Sequence, residues 1–118
     1  MDIIFIHELH VETIIGVYPW ERDSPQTLLL DLELGADIQP AARSDQLDDT
    51  LDYQVVARRI NEFAAASTFQ LVETLAERIA ELLRREFGVA WLRLTLRKVA
   101  AIPAAREVGI RIERGGRP

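Results

Sequence analysis

The sequence contains no cysteine and only two histidines. Disulfide frameworks, thiolate metal sites and a cysteine nucleophile are therefore excluded, and this usage fits a reducing compartment. Positive charge is also scarce: 14 Lys and Arg stand against 19 Asp and Glu, a formal net charge of −5. General attraction to nucleic acid or anionic lipid is disfavoured on that balance. No run approaches the roughly 18 uninterrupted apolar residues of a membrane span, and Asp2 sits where a signal peptide carries positive charge. The expectation is a soluble, cytoplasmic protein. What is present is ordinary globular material: 48% hydrophobic and 28% charged residues in a chain of 118, enough for one core. A single domain over residues 1–118 is expected, with 115–118 as a flexible tail.

Apolar residues at alternate positions predict strands. In the first segment Ile3, Phe5, His7, Leu9, Val11, Thr13 and Ile15 form one row, and Asp2, Glu8, His10 and Glu12 fall on the other. By this period, His7 and His10 lie on opposite faces, which disfavours a shared metal site. Gly16 ends the strand, and Tyr18 to Pro25 reads as an exposed loop with two prolines. Leu28, Leu30, Leu32 and Leu34 form the row of a second strand that pairs antiparallel with the first.

Residues Pro40 to Thr50 read as a surface connection with a short helical turn. Asp52 is placed to cap a helix with Val56, Ile60 and Phe63 on its inner face, and Ser67-Thr68 breaks it. A second helix carries Val72, Leu75, Ala76, Ile79, Leu82 and Leu83 on one side and stops at Gly88. Strand periodicity then returns in Leu92, Leu94, Leu96 and Lys98, and again in Val108, Ile110 and Ile112. The order ββααββ predicts an α+β domain, a four-stranded antiparallel sheet with two helices on one face. The opposite row still offers Ile4, Ile6, Leu29 and Trp91, so self-association through that face or the sheet edges is expected.

Four side chains stand out as candidate chemistry. Glu73 is either an acid favoured by the dipole at its helix start or a ligand hook. A carboxylate accepts two parallel hydrogen bonds and so matches a planar heterocycle with a ring N–H beside an exocyclic amine. Lys98, ending an apolar row, either snorkels to water or serves as a general acid or base from a partly apolar pocket. Tyr53 is either a packing aromatic or a phenol that hydrogen-bonds substrate or water. Glu21 reads most simply as a solvated loop acid.

Taken together, the segments Ile14-Ile15-Gly16-Val17-Tyr18, Trp20-Glu21-Arg22, Ser44-Asp45, Leu51-Asp52-Tyr53, Phe69-Gln70-Leu71-Val72-Glu73, Leu96-Arg97-Lys98, Val108-Gly109 and Ile112-Glu113-Arg114-Gly115 closely resemble the dihydroneopterin aldolases of folate biosynthesis. The resemblance runs without gaps from Met1 to about Gly115. It implies the tunnelling fold, in which subunits join edge to edge into tetrameric barrels that stack into octamers. It implies sites between subunits, with Glu73 gripping the pterin ring, Tyr53 contributed by a neighbour, and Glu21, Tyr53 and Lys98 around the reacting end. Backbone groups near Val17 and Val72 would touch the ring. The implied reaction is metal-independent and Schiff-base-independent, needs no cofactor, and carries epimerisation to dihydromonapterin as a side activity.

One departure is that Val99-Ala100 follows the lysine, where many relatives have proline, often followed by glycine. Two rival functions stand beside this one: an epimerase acting on dihydroneopterin triphosphate, against which Trp20-Glu21 and Glu113-Arg114-Gly115 favour the aldolase, and a catalytically silent pterin-binding ring, whose marker would be loss of the lysine or tyrosine, both present here. Zinc-dependent enzymes of the same fold class recruit cysteine and histidine clusters, which this composition does not offer.

Overall fold

The computed structural model describes residues 1–99 and 101–116. Ala100 and the last two residues of the expected tail lie outside the described residues. Among the described residues, four strands form one antiparallel sheet in the order β1-β2-β3-β4. They are β1 (Asp2–Thr13), β2 (Gln26–Ala36), β3 (Trp91–Val99) and β4 (Glu107–Gly115). Between β2 and β3 lie a short helix α1 (Gln39–Ser44), then α2 (Tyr53–Ala65) and α3 (Val72–Phe87). The expected ββααββ architecture is thus observed, with a helical turn in the 40–50 connection where one was anticipated.

The leucine rows decide which face carries the helices. Leu28, Leu30, Leu32 and Leu34 of β2 and Leu92, Leu94 and Leu96 of β3 are fully buried against Val56, Ile60, Leu75, Ala76, Ile79, Leu82 and Leu83. Burying each such side chain is favourable by about 1.5–3 kcal/mol, which makes this face the core. The helix ends follow from local chemistry. Asp52 Oδ1 accepts from the N–H groups of Gln54 at 3.0 Å and Val55 at 3.4 Å, and Gly88 closes α3 at φ +64. Arg114 of β4 donates to Glu77 of α3 through Nε at 2.9 Å, fastening the outer strand to the helical layer.

The first strand departs from its expected row. The register with β2 shifts between Ile6 and Leu9, and Glu8 adopts φ +56. Its N–H donates to Asp31 Oδ1 at 2.7 Å, which pins the bulge. One extra residue reverses the parity: Ile4 and Ile6 pack toward the core, as do Leu9, Val11 and Thr13 after the bulge, while Ile3 and Phe5 turn outward. The bulge also corrects the histidine reading, because His7 and His10 both come to the open face.

The open face carries a different apolar set from the expected one, with Ile3 and Phe5 now exposed on it. Ile4 and Ile6 have left it, and Trp91 is buried on it, against Gly35, with Nε1 donating to Glu113 and Arg93 over its ring. Its middle is a ladder of cross-strand charges: Arg93 with Glu33 at 3.3 Å, and Arg97 with Asp31 at 3.3 Å and Glu107 at 3.1 Å. No helix of the described residues is long and apolar enough to cross a membrane.

Candidate active site

Lys98 closes the core-facing row of β3, one step beyond Leu96, so strand alternation aims its ammonium toward the helical side at the sheet's end. What it meets there is the loop after β1. A 3₁₀ turn at Pro19–Glu21 lifts Glu21 back over that end of the sheet. Lys98 Nζ donates to Glu21 Oε2 at 2.6 Å, with the two side chains only 19% and 18% exposed. The Lys98 hydrogen bond, aided by the Tyr18 N–H at 3.3 Å, holds the Glu21 carboxyl below its ordinary value of 4.5. Glu21, expected as a solvated loop acid, is instead half-enclosed and paired, because the turn folds it onto the Lys98 ammonium.

Gly16 makes this approach possible. A Cβ there would lie 2.4 Å from Glu21 Cδ and 2.6 Å from Oε2, and the backbone sits at φ +125, where an L side chain is strained. Gln26 steadies the same turn by donating from Nε2 to Ile15 O at 2.7 Å. The pair borders a cavity of about 270 Å³, further lined by Trp20, Ser24, Gln26, Val99 and Ala101. Trp20 stacks on Tyr18 with ring centres 4.7 Å apart and stands 70% exposed.

The ring-holding candidates sit at the start of α3. Val72 is half-buried and Glu73 is exposed in the first turn. Among the described residues nothing hydrogen-bonds to or pairs with the Glu73 carboxylate, so its two oxygens are available. The loop and this helix start are joined through Arg22. Its guanidinium donates to Gly16 O at 3.1 Å, Phe69 O at 3.0 Å and Thr68 O at 2.7 Å. Arg22 belongs to the Trp20-Glu21-Arg22 segment, and nothing in the sequence alone assigns its guanidinium to these three carbonyls. Val17, exposed, follows directly on Gly16.

Tyr53 is not brought to the others within one chain. It opens α2 and is 59% exposed. The opposite end of that helix runs into Ser67, whose carbonyl accepts from Thr13 Oγ1 at 3.2 Å beside the site. At about 1.5 Å of rise per residue, Tyr53 stands about 18 Å along the axis from Ala65. The capping carboxylate of Asp52 fixes where α2 begins, and with it the place of Tyr53 in the first turn.

Among the described residues no three Asp, Glu, His or Cys side chains cluster as a metal site. Chemically, the arrangement offers a proton-carrying amine paired to an acid, and an unpaired carboxylate at a helix start suited to a flat amide-like edge.

Comparison with known proteins gives the same direction. The family model for dihydroneopterin aldolase matches residues 4–113. The dihydroneopterin aldolase of Escherichia coli K12 is 44% identical over 115 residues, covering 98% of this chain and 94% of the relative. That of Haemophilus influenzae is 38% identical, covering 98% of each. The crystal structure of the Escherichia coli enzyme in complex with neopterin superposes with a TM-score of 0.93 at 43% identity, over 98% of this chain and all of that one. A match that spans nearly every element from β1 to β4, at these identities, places the chain in the dihydroneopterin aldolase family.

Proposed function

We propose that this chain cleaves 7,8-dihydroneopterin by a retro-aldol reaction to 6-hydroxymethyl-7,8-dihydropterin and glycolaldehyde, as a single domain over residues 1–118 working in the cytoplasm. The observation that carries this reading is the enclosed Lys98–Glu21 pair at 2.6 Å, a proton carrier with its partner acid beside a cavity. The neopterin bound to the Escherichia coli relative supports a pterin as ligand.

In this reading Glu73 takes the ring edge in two parallel hydrogen bonds, with backbone groups near Val17 and Val72 against the ring. Lys98 and Glu21 stand at the substrate's side chain. A base acting through water removes the proton of the second side-chain hydroxyl, and the carbon–carbon bond next to it breaks. Its electron pair moves into the ring's own C=N bond, so the substrate is the electron sink and no Schiff base is required. Lys98 relays the proton and stabilises charge at the ring nitrogen. The carbon left on the ring is then protonated, and glycolaldehyde departs. Tyr53 from a second copy completes the reacting end, which accounts for its distance within one chain and calls for a ring of subunits. Re-addition of glycolaldehyde from the other face gives the dihydromonapterin epimer as a side product.

Incubating the purified protein with 7,8-dihydroneopterin tests this directly. Glycolaldehyde and the hydroxymethyl product are expected in equal amounts without added metal. Epimer without aldehyde would assign the chain to the epimerases, and tight pterin binding with no turnover would make it a silent scaffold.

A further inference from the structure

We propose that Arg22 is a positioning residue: it sets Glu21 against Lys98 by tying the loop after β1 to the segment that leads into α3. The inference deepens the functional reading above and rests on it for its kinetic part only.

The geometry is a single guanidinium shared among three backbone carbonyls. Nη1 donates to Gly16 O and Phe69 O, at 3.1 and 3.0 Å, and Nη2 to Thr68 O at 2.7 Å. Thr68 and Phe69 belong to no helix or strand, so their carbonyls have no ladder to satisfy them and gain most from an outside donor. Among the described residues Arg22 makes no ion pair, so its fork is spent on these carbonyls. Gly16, the third acceptor, is the residue against which the Glu21 carboxylate lies. Arg22 follows Glu21 directly and closes the same turn through its own N–H to Pro19 O at 3.0 Å. The guanidinium thus holds both the floor beneath the carboxylate and the turn that carries it.

The two ends that Arg22 joins differ in how else they are held. Helix α3 is anchored by buried Leu75, Ala76, Ile79, Leu82 and Leu83, and Lys98 by its strand. The turn at residues 19–21 contributes no side chain to the hydrophobic core. Loss of Arg22 therefore releases Glu21 while leaving Glu73 and Lys98 in place. Misplacement by about 1 Å near the reacting atoms costs rate by up to about a hundredfold, whereas the ring keeps its main hold, Glu73 on α3, and loses only the backbone contact near Val17.

The experiment compares wild type, Arg22→Ala and the gentler Arg22→Gln for kcat, for affinity toward 6-hydroxymethylpterin, and for amide hydrogen exchange. For Arg22→Ala, kcat is expected to fall well over about tenfold while pterin affinity, with Glu73 in place and only the Val17 contact loosened, falls by less than about tenfold. Millimolar guanidinium should restore part of kcat in Arg22→Ala and none in Glu21→Gln. Exchange should accelerate over residues 17–22 and not at Thr74 and Leu75 in α3. Unchanged kcat with an unchanged loop overturns the inference, as does a loss in which pterin affinity and α3 protection fall together. Should wild type release no glycolaldehyde, the functional reading fails, and the exchange data alone decide whether Arg22 holds the loop. If Arg22→Ala does not fold, the same outcomes are read from Arg22→Gln.

Discussion

The ammonium of Lys98 lies 2.6 Å from the carboxylate of Glu21 although 77 residues separate them in the chain. This contact joins the end of the third strand to the loop after the first, and it makes an ammonium and its carboxylate one unit.

The pair makes stability depend on pH with a definite sign. Glu21 has its folded pKa below the ordinary 4.5. Its contribution is therefore fully present above the unfolded value and lost as pH falls through the lower folded one. Thermal melts of wild type and Glu21→Gln should differ by a constant Tm offset between about pH 6 and about pH 8, and the offset should shrink as pH falls below 4.5. Convergence on the alkaline side instead would show that the carboxylate is not the titrating group.

Gly16 is required by close approach rather than by the loop alone. Gly16→Ala puts a methyl 2.4 Å from Glu21 Cδ and strains the backbone, at a cost of about 1–3 kcal/mol. Because the damage passes through Glu21, the double variant Gly16→Ala/Glu21→Gln should turn over within about threefold of Glu21→Gln. Fully additive losses would mean that Gly16 serves something other than the acid.

The place of Tyr53 leads to a mixing experiment. Tyr53→Ala and Lys98→Ala should each be nearly inactive alone. If the site takes Tyr53 from one copy and Lys98 from another, co-assembly at equal amounts should restore about a quarter of the sites. Mixed oligomers, verified by mass, with no regained activity would place both residues in one protomer.

Much of this fold is readable from sequence, because the leucines of β2 and β3 keep strict alternation and Asp52 and Gly88 mark helix ends. β1 is not, because Ile3, Ile4, Phe5 and Ile6 are apolar on both parities. Either row satisfies the pattern, and the choice is made by register with Leu30 and Leu32 and by the Asp31 carboxylate that holds the Glu8 bulge. Trp91 likewise reads as exposed by its parity, yet Gly35 beside it leaves a slot into which the indole packs. At the site, Glu73, Lys98, Tyr53 and Glu21 were all legible as candidates. The Glu21–Lys98 contact was not, since it arises from a turn with no periodicity of its own. Arg22 lies in the Trp20-Glu21-Arg22 motif, but its three carbonyl partners are set by the folded loop, and the hint in the sequence is its neighbour Glu21 combined with Gly16 upstream.

The central claim is that ring binding and proton transfer belong to different side chains of one site, and paired measurements of pterin affinity and kcat in Glu73→Ala and Lys98→Ala test it most directly. The account predicts that Lys98→Ala nearly abolishes turnover while pterin affinity stays within about tenfold, and that Glu73→Ala chiefly destroys binding. The reverse pattern, with Lys98→Ala losing the ring and Glu73→Ala losing only rate, would contradict it.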